Sequence, residues 1–119
     1  MPINLNNTHW TLAVVFVQAK RIHYYDSMSG GGGRHLRAIQ RWLEDESREK
    51  KKQTLDTADW QLVERESIPQ QQNGFDCGVF SIICADFLSD NLPLSYSQEH
   101  MADFRLKIGA AIMRGALTY

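Results

Sequence analysis

The chain has 119 residues, 43% of them hydrophobic and 23% charged, with a net charge of −1 at neutral pH. A chain of this size makes at most one domain, and the apolar share supports a packed core rather than disorder. The near-neutral balance gives no reason to expect a nucleic-acid partner, and no apolar run approaches the roughly 20 residues of a membrane span.

Residues 10–17 are rich in β-branched and aromatic side chains and predict a buried strand. A turn over residues 18–20 leads into a second strand over residues 21–25, in hairpin relation to the first. Asp26 ends that strand. Residues 27–33 follow, with four consecutive glycines, and are expected to form a flexible loop beside Asp26. This run lacks the Gly-Lys-Ser/Thr ending of a phosphate loop. From Arg34 the apolar period becomes helical, with Leu36, Ile39 and Leu43 on one side, and the helix is expected to run to about Lys52. Arg48 to Lys52 is basic, but Glu44, Asp45, Glu46 and Glu49 interleave with it, as on a solvated helix end.

Residues 60–63 predict a short strand, closed by the loop around Pro69. Residues 77–88 predict a helix that is apolar nearly all round, hence central and buried on more than one side. Asn91 to Pro93 breaks the chain. Met101, Phe104, Ile108, Ala111 and Ile112 mark a last amphipathic helix. Strands and helices in mixed order point to an α/β or α+β domain.

Cys77 and Cys84 lie seven residues apart in the predicted helix. At 1.5 Å per residue that is about 10 Å, too far for a disulfide. With no CxxC or zinc-type spacing, the chain reads as reduced and intracellular, without a metal or other cofactor. No secretory segment is expected ahead of it.

Cys77 stands where the glycine-containing loop Gln71-Gln72-Asn73-Gly74-Phe75-Asp76 becomes a helix. Most lone cysteines are inert core thiols. Helix N-terminal amides and the helix dipole stabilise a thiolate, however, and Gly74 and Gly78 permit close approach of a substrate. Cys84, inside the apolar run, reads as core. His9, just before the first strand, has the side chain to take a thiol proton and return it to a leaving amine. His23, His35 and His100 have weaker claims. The end of the second strand meets the beginning of the first in a hairpin, which puts Asp26 within reach of His9 to orient it; a plain turn-initiating role competes. Trp10 either shields such a pair or opens the core. Gln71 is a candidate oxyanion donor with the Cys77 N–H, one such donor being worth about 3 kcal/mol. Gln70 and Gln72 remain alternatives. Asp76 is expected to pair with basic side chains rather than act as a base.

With these residues assembled, the chain resembles the catalytic domain of the Ulp1/SENP family of SUMO-specific cysteine proteases. The matching segments are Pro2-Ile3-Asn4-Leu5 leading into His9-Trp10, Tyr24-Tyr25-Asp26-Ser27, and Ile68-Pro69-Gln70-Gln71-Gln72-Asn73-Gly74-Phe75-Asp76-Cys77-Gly78. The resemblance implies a papain-like α+β fold with a short mixed or antiparallel sheet and a central helix headed by the nucleophile. It implies His9 as base, Asp26 as its orienter, Cys77 as nucleophile, Gln71 as oxyanion donor and Trp10 as a wall of the substrate channel. The implied reaction is cleavage after the C-terminal Gly-Gly of SUMO, in precursors and lysine conjugates, in the nucleus or cytoplasm. The partners implied are SUMO or a related ubiquitin-like protein and its conjugates.

Residues 1–119 correspond to the C-terminal portion of the family's usual catalytic domain. The large segment that family members carry ahead of His9 is expected to be lacking here, through truncation or because it forms a second chain, and weak or no activity is expected of this chain alone. Two alternatives stand beside the leading reading: action on another modifier (NEDD8 or ubiquitin), and a binding fragment without catalytic competence.

Overall fold

The structure is a computed structural model and describes residues 1–117. Its elements run β1 (Pro2–Leu5), β2 (His9–Phe16), β3 (Arg21–Tyr25), α1 (Gly33–Lys50), β4 (Gln61–Val63) and α2 (Cys77–Ser89), then a 3₁₀ turn (Gln98–His100) and α3 (Met101–Arg114). The four strands form one sheet in the order β1-β2-β3-β4, antiparallel except for the parallel β3–β4 pair. The expected α+β class with a short mixed sheet is what the chain adopts.

Alternation along β2 and β3 divides the core between the two sheet faces. Leu12 and Tyr25 pack with Val79, Phe80, Ile83 and Cys84 of α2 and with Met101. Ala13, Ile22 and Tyr24 pack with Leu36 and Ile39 of α1 and with Trp60. The sheet is therefore sandwiched between α1 and the α2–α3 pair. The helical spacing of Leu36 and Ile39 correctly identified the buried face of α1, which ends at Lys50, two residues earlier than expected. Beyond that end, buried Thr57 donates its N–H and hydroxyl to Glu44, and Gln40 donates to the Thr57 carbonyl. These bonds tie the returning chain to α1 ahead of β4, and the two from Thr57 hold the Glu44 carboxyl below its ordinary pKa.

β1 was not expected as a strand. It pairs with β2, Ile3 opposite Thr11 and Leu5 opposite His9. The local signal was Asn6-Asn7: both residues are left-handed, and the Thr8 N–H closes the turn onto the Leu5 carbonyl. Asparagine tolerates that conformation better than most residues.

The glycine run is a second correction. It is not a free loop: Gly33 opens α1, the Gly32 N–H donates to the Glu64 carbonyl, and Arg65 donates to the Ser29 carbonyl at 2.8 Å. A Cβ on Gly30 would overlap the Asp26 carboxylate, and one on Gly32 would enter the Tyr24 ring. These glycines serve close packing, an alternative that composition does not distinguish from flexibility.

α2 carries apolar residues all round, as expected of a central helix. The sheet and α3 cover two of its sides, while Ile82 is 49% exposed. Ile82, Ile108, Ala111, Ile112 and Leu117 line an open groove of about 320 Å³ on that side. No helix among the described residues is long and apolar enough to cross a membrane.

Candidate active site

The β2–β3 register sets Leu12 opposite Tyr25. Continued one step, it sets Thr11 beside Asp26, with His9 two residues further along the same face. A diagonal pair of this kind lies within reach of a long side chain. His9 Nε2 meets Asp26 Oδ1 at 2.7 Å, with both side chains largely buried. Asp26 Oδ1 also accepts the Met28 N–H at 2.8 Å, and Oδ2 accepts the Gly30 N–H at 3.1 Å. A carboxylate only accepts, so the imidazole proton sits on Nε2 and leaves the Nδ1 lone pair free to act as a base.

Cys77 is the first residue of α2 and is 7% exposed. Its sulfur accepts the backbone N–H of Trp10 at 3.4 Å, which brings the thiol to the residue beside His9. Trp10 is 44% exposed, and its ring lies 3.8 Å from where a Cβ on Gly78 would stand. Ser81 closes the same junction by donating to the Trp10 carbonyl at 3.3 Å. The indole thus flanks the start of α2 and remains open to solvent.

Gln71 is fixed by the residue next to Asp26. Its N–H donates to the Ser27 carbonyl at 3.0 Å, and its side-chain oxygen accepts the Ser27 hydroxyl at 2.5 Å. Its side-chain nitrogen donates to the Asn73 carbonyl at 2.6 Å. A primary amide carries two N–H bonds, so this contact occupies one of them. Gln70 instead turns both amide donors toward carbonyls, those of Asp26 and Ile68, and accepts from Ser29. The Gln72 side chain is exposed. Of the three glutamines, Gln71 has the side chain held between Ser27 and the loop that ends at Cys77.

The other histidines lie elsewhere. His23 Nδ1 pairs with Glu66 at 2.5 Å, His35 stacks on Tyr24, and His100 accepts the Ser97 N–H. Asp76 pairs with Arg105 at 2.6 Å, the bland role expected for it. Hydrogen bonds from Asn73, then Arg105 and Gln98, hold its carboxyl below the ordinary range. Sequence reasoning missed Gln98 and Arg105, which lie 22 and 29 residues away from Asp76.

Cys84 is confirmed as core. Burial, with the Glu66 charge as a lesser cause, pushes its thiol up to about 11. Iodoacetamide at pH 8 is therefore expected to leave Cys84 unmodified in the folded chain and to alkylate it only after denaturation. Peptide mass mapping with and without guanidinium checks this, and native alkylation of Cys84 would contradict it.

The model of the "Ulp1 protease family, C-terminal catalytic domain" matches residues 1–116. This chain belongs to the Ulp1 protease family. It is 40% identical over 114 residues to the ubiquitin-like-specific protease ESD4 of Arabidopsis thaliana, covering 96% of this chain and 23% of that protein. It is 36% identical over 110 residues to the human sentrin-specific protease 2, covering 91% and 18% respectively.

Among solved structures, the C-terminal Ulp1 protease domain in complex with Smt3, the yeast ortholog of SUMO, superposes with a TM-score of 0.80 at 33% identity. That match covers 99% of this chain and 52% of the Ulp1 chain. The Ulp1-like SUMO protease catalytic domain of Chaetomium thermophilum gives a TM-score of 0.83 at 29% identity, with 99% and 46% covered. This Ulp1-family chain therefore spans about half of those solved domains and a quarter or less of these two curated relatives.

Proposed function

We propose that this chain carries the thiol peptidase centre that cleaves after the C-terminal Gly-Gly of SUMO, in precursors and in lysine conjugates. Residues 1–119 would then form a C-terminal portion of the family's catalytic domain. The observation that carries the reading is the convergence, at one end of the two inner strands, of the His9–Asp26 pair, at 2.7 Å, with Cys77, whose sulfur sits 3.4 Å from the amide next to His9.

Each group then has a role its chemistry permits. His9 Nδ1 takes the Cys77 proton, and Asp26 stabilises the imidazolium that results. The thiolate attacks the glycyl carbonyl carbon, and the oxyanion accepts from the Cys77 N–H and the free amide donor of Gln71. Collapse breaks the C–N bond, and His9 returns its proton to the leaving lysine amine or peptide amine. Water, deprotonated by His9, then attacks the thioester and releases the carboxylate and the thiol. Trp10, open to solvent beside Gly78, suits the wall of a channel for a tail of two residues without side chains. Two unpaired cysteines suit a reducing compartment, nucleus or cytoplasm.

The open groove along Ile82, Ile108 and Ile112 favours a second reading, a fragment that retains the site but binds without turning over. SUMO bearing a C-terminal electrophile, offered in parallel with the NEDD8 and ubiquitin equivalents, separates the readings. Labelling of Cys77 by SUMO in preference to the other two is the expected result. Preference for NEDD8 or ubiquitin would reassign the substrate, and a folded chain labelled by none would favour the binding fragment.

A further inference from the structure

The loop between Gln71 and Cys77 is held from outside by one amide and one guanidinium. Gln98, in the 3₁₀ turn ahead of α3, accepts the Gln72 N–H at 2.8 Å through its side-chain oxygen. Through its side-chain nitrogen it donates to Asp76 Oδ2 at 2.9 Å. One side chain therefore bridges the residue just after Gln71 and the residue just before Cys77. Arg105, one helical turn into α3, donates to Asp76 Oδ1 at 2.6 Å and to the Phe75 carbonyl at 3.4 Å. Asn73 closes the loop internally, donating to Asp76 Oδ2 at 2.8 Å and accepting the Phe75 and Asp76 N–H groups.

The support is rigid. Met101 between the two clamping residues is fully buried, and Phe104 and Ile108 pack on the α2 core. Asp76 itself is 5% exposed, so its two oxygens must find donors within the protein. They find them on Asn73 within the loop and on α3 and its leading turn, not on α2, which Asp76 precedes.

We propose that Gln98 and Arg105 are positioning residues: together they clamp residues 72–76 and thereby set the Gln71 amide and the Cys77 N–H relative to each other. The inference rests on the proposed peptidase reading for its activity arm only. Oxyanion donors act only when aimed at the developing charge, and a displacement near 1 Å from such a site costs about 100-fold in rate.

Hydrogen exchange reads the clamp whether or not the chain turns anything over. Gln98→Ala and Arg105→Ala are expected to speed amide exchange across residues 72–76 by about tenfold or more, since each removes bonds that close the loop. Arg105→Lys, which keeps a charged donor, is expected to stay near the wild type. Turnover of a SUMO–aminocoumarin amide is expected to fall about 100-fold in kcat with little change in KM. Iodoacetamide alkylation of Cys77, a displacement that forms no oxyanion, should change less than about twofold.

Unchanged exchange in both alanine variants overturns the clamp. Faster exchange with unchanged kcat, or equal losses in turnover and alkylation, overturns the positioning role. Thermal unfolding separates these outcomes from general loss of fold. Absence of turnover in the wild-type chain counts against the SUMO reading alone, and the exchange comparison then decides the clamp.

Discussion

Cys77→Ala is expected to abolish SUMO-amide turnover, a loss of at least about 10⁴-fold, the scale seen when the nucleophile of a hydrolytic triad is removed. The fold should survive the change. The thiol touches the backbone N–H of Trp10, and sulfur is a weak acceptor whose loss costs at most about 1 kcal/mol. Alanine is also a good helix former and keeps the backbone N–H of this position. The check is a progress curve for the variant beside a melting curve, with mass spectrometry of the electrophile adduct. Turnover retained in Cys77→Ala would move the nucleophile elsewhere, and Cys84, buried at 1% exposure, could not replace it without rearrangement of the core.

Asp26→Asn is the second large effect, expected to lower kcat/KM by about 10²- to 10⁴-fold, the upper end being the loss known for an orienting aspartate changed to its amide. Asp26 receives three donors: His9 Nε2 and the Met28 N–H on one oxygen, the Gly30 N–H on the other. An asparagine has one accepting end. If its oxygen faces His9, its NH₂ meets the Gly30 N–H donor to donor. If it is turned over, the NH₂ faces His9 and favours the wrong tautomer. Either way the charge that stabilises the imidazolium is gone. The variant should also lose about 1–3 kcal/mol of stability through the unpaired buried donor.

Gly30→Ala should move activity in the same direction, since the added methyl overlaps Asp26 Oδ2. A pH–rate profile beside thermal melting distinguishes lost orientation from lost fold. Wild-type kcat/KM in Asp26→Asn would reduce Asp26 to the turn initiator that its place before Ser27 also suggested.

Much of this was legible along the chain because it depends on neighbours in sequence. The period of Leu36, Ile39 and Leu43 identified the face of α1, and a polar, glycine-containing loop before an unbroken apolar run marked the start of α2 at Cys77. The hairpin between β2 and β3 needed only a short turn, and its register carried His9 to Asp26. β1 was missed because four residues of alternating exposure, with Asn4 among them, make a strand only through pairing with β2. The glycine run was misjudged because flexibility and close packing call for the same residue.

The sequence by itself determined which groups are available: a thiol at a helix start, an imidazole and a carboxylate at meeting strand ends, and a glutamine before the loop. Their family motif was legible there too. Only the tertiary structure decided how they are held. It distinguished Gln71, tied to Ser27, from Gln70, turned to Asp26 and Ile68, and it enlisted Gly30 as a partner of Asp26. It also closed the loop before Cys77 on Gln98, from the turn ahead of α3, and on Arg105 of α3. The physical reason is directional: a hydrogen bond depends on distance and angle, and those between Gln71 and Ser27 and from Gln98 and Arg105 to Asp76 join groups more than 20 residues apart in sequence. Cys77 heading α2 was written in local pattern; the rigidity of its surroundings was not.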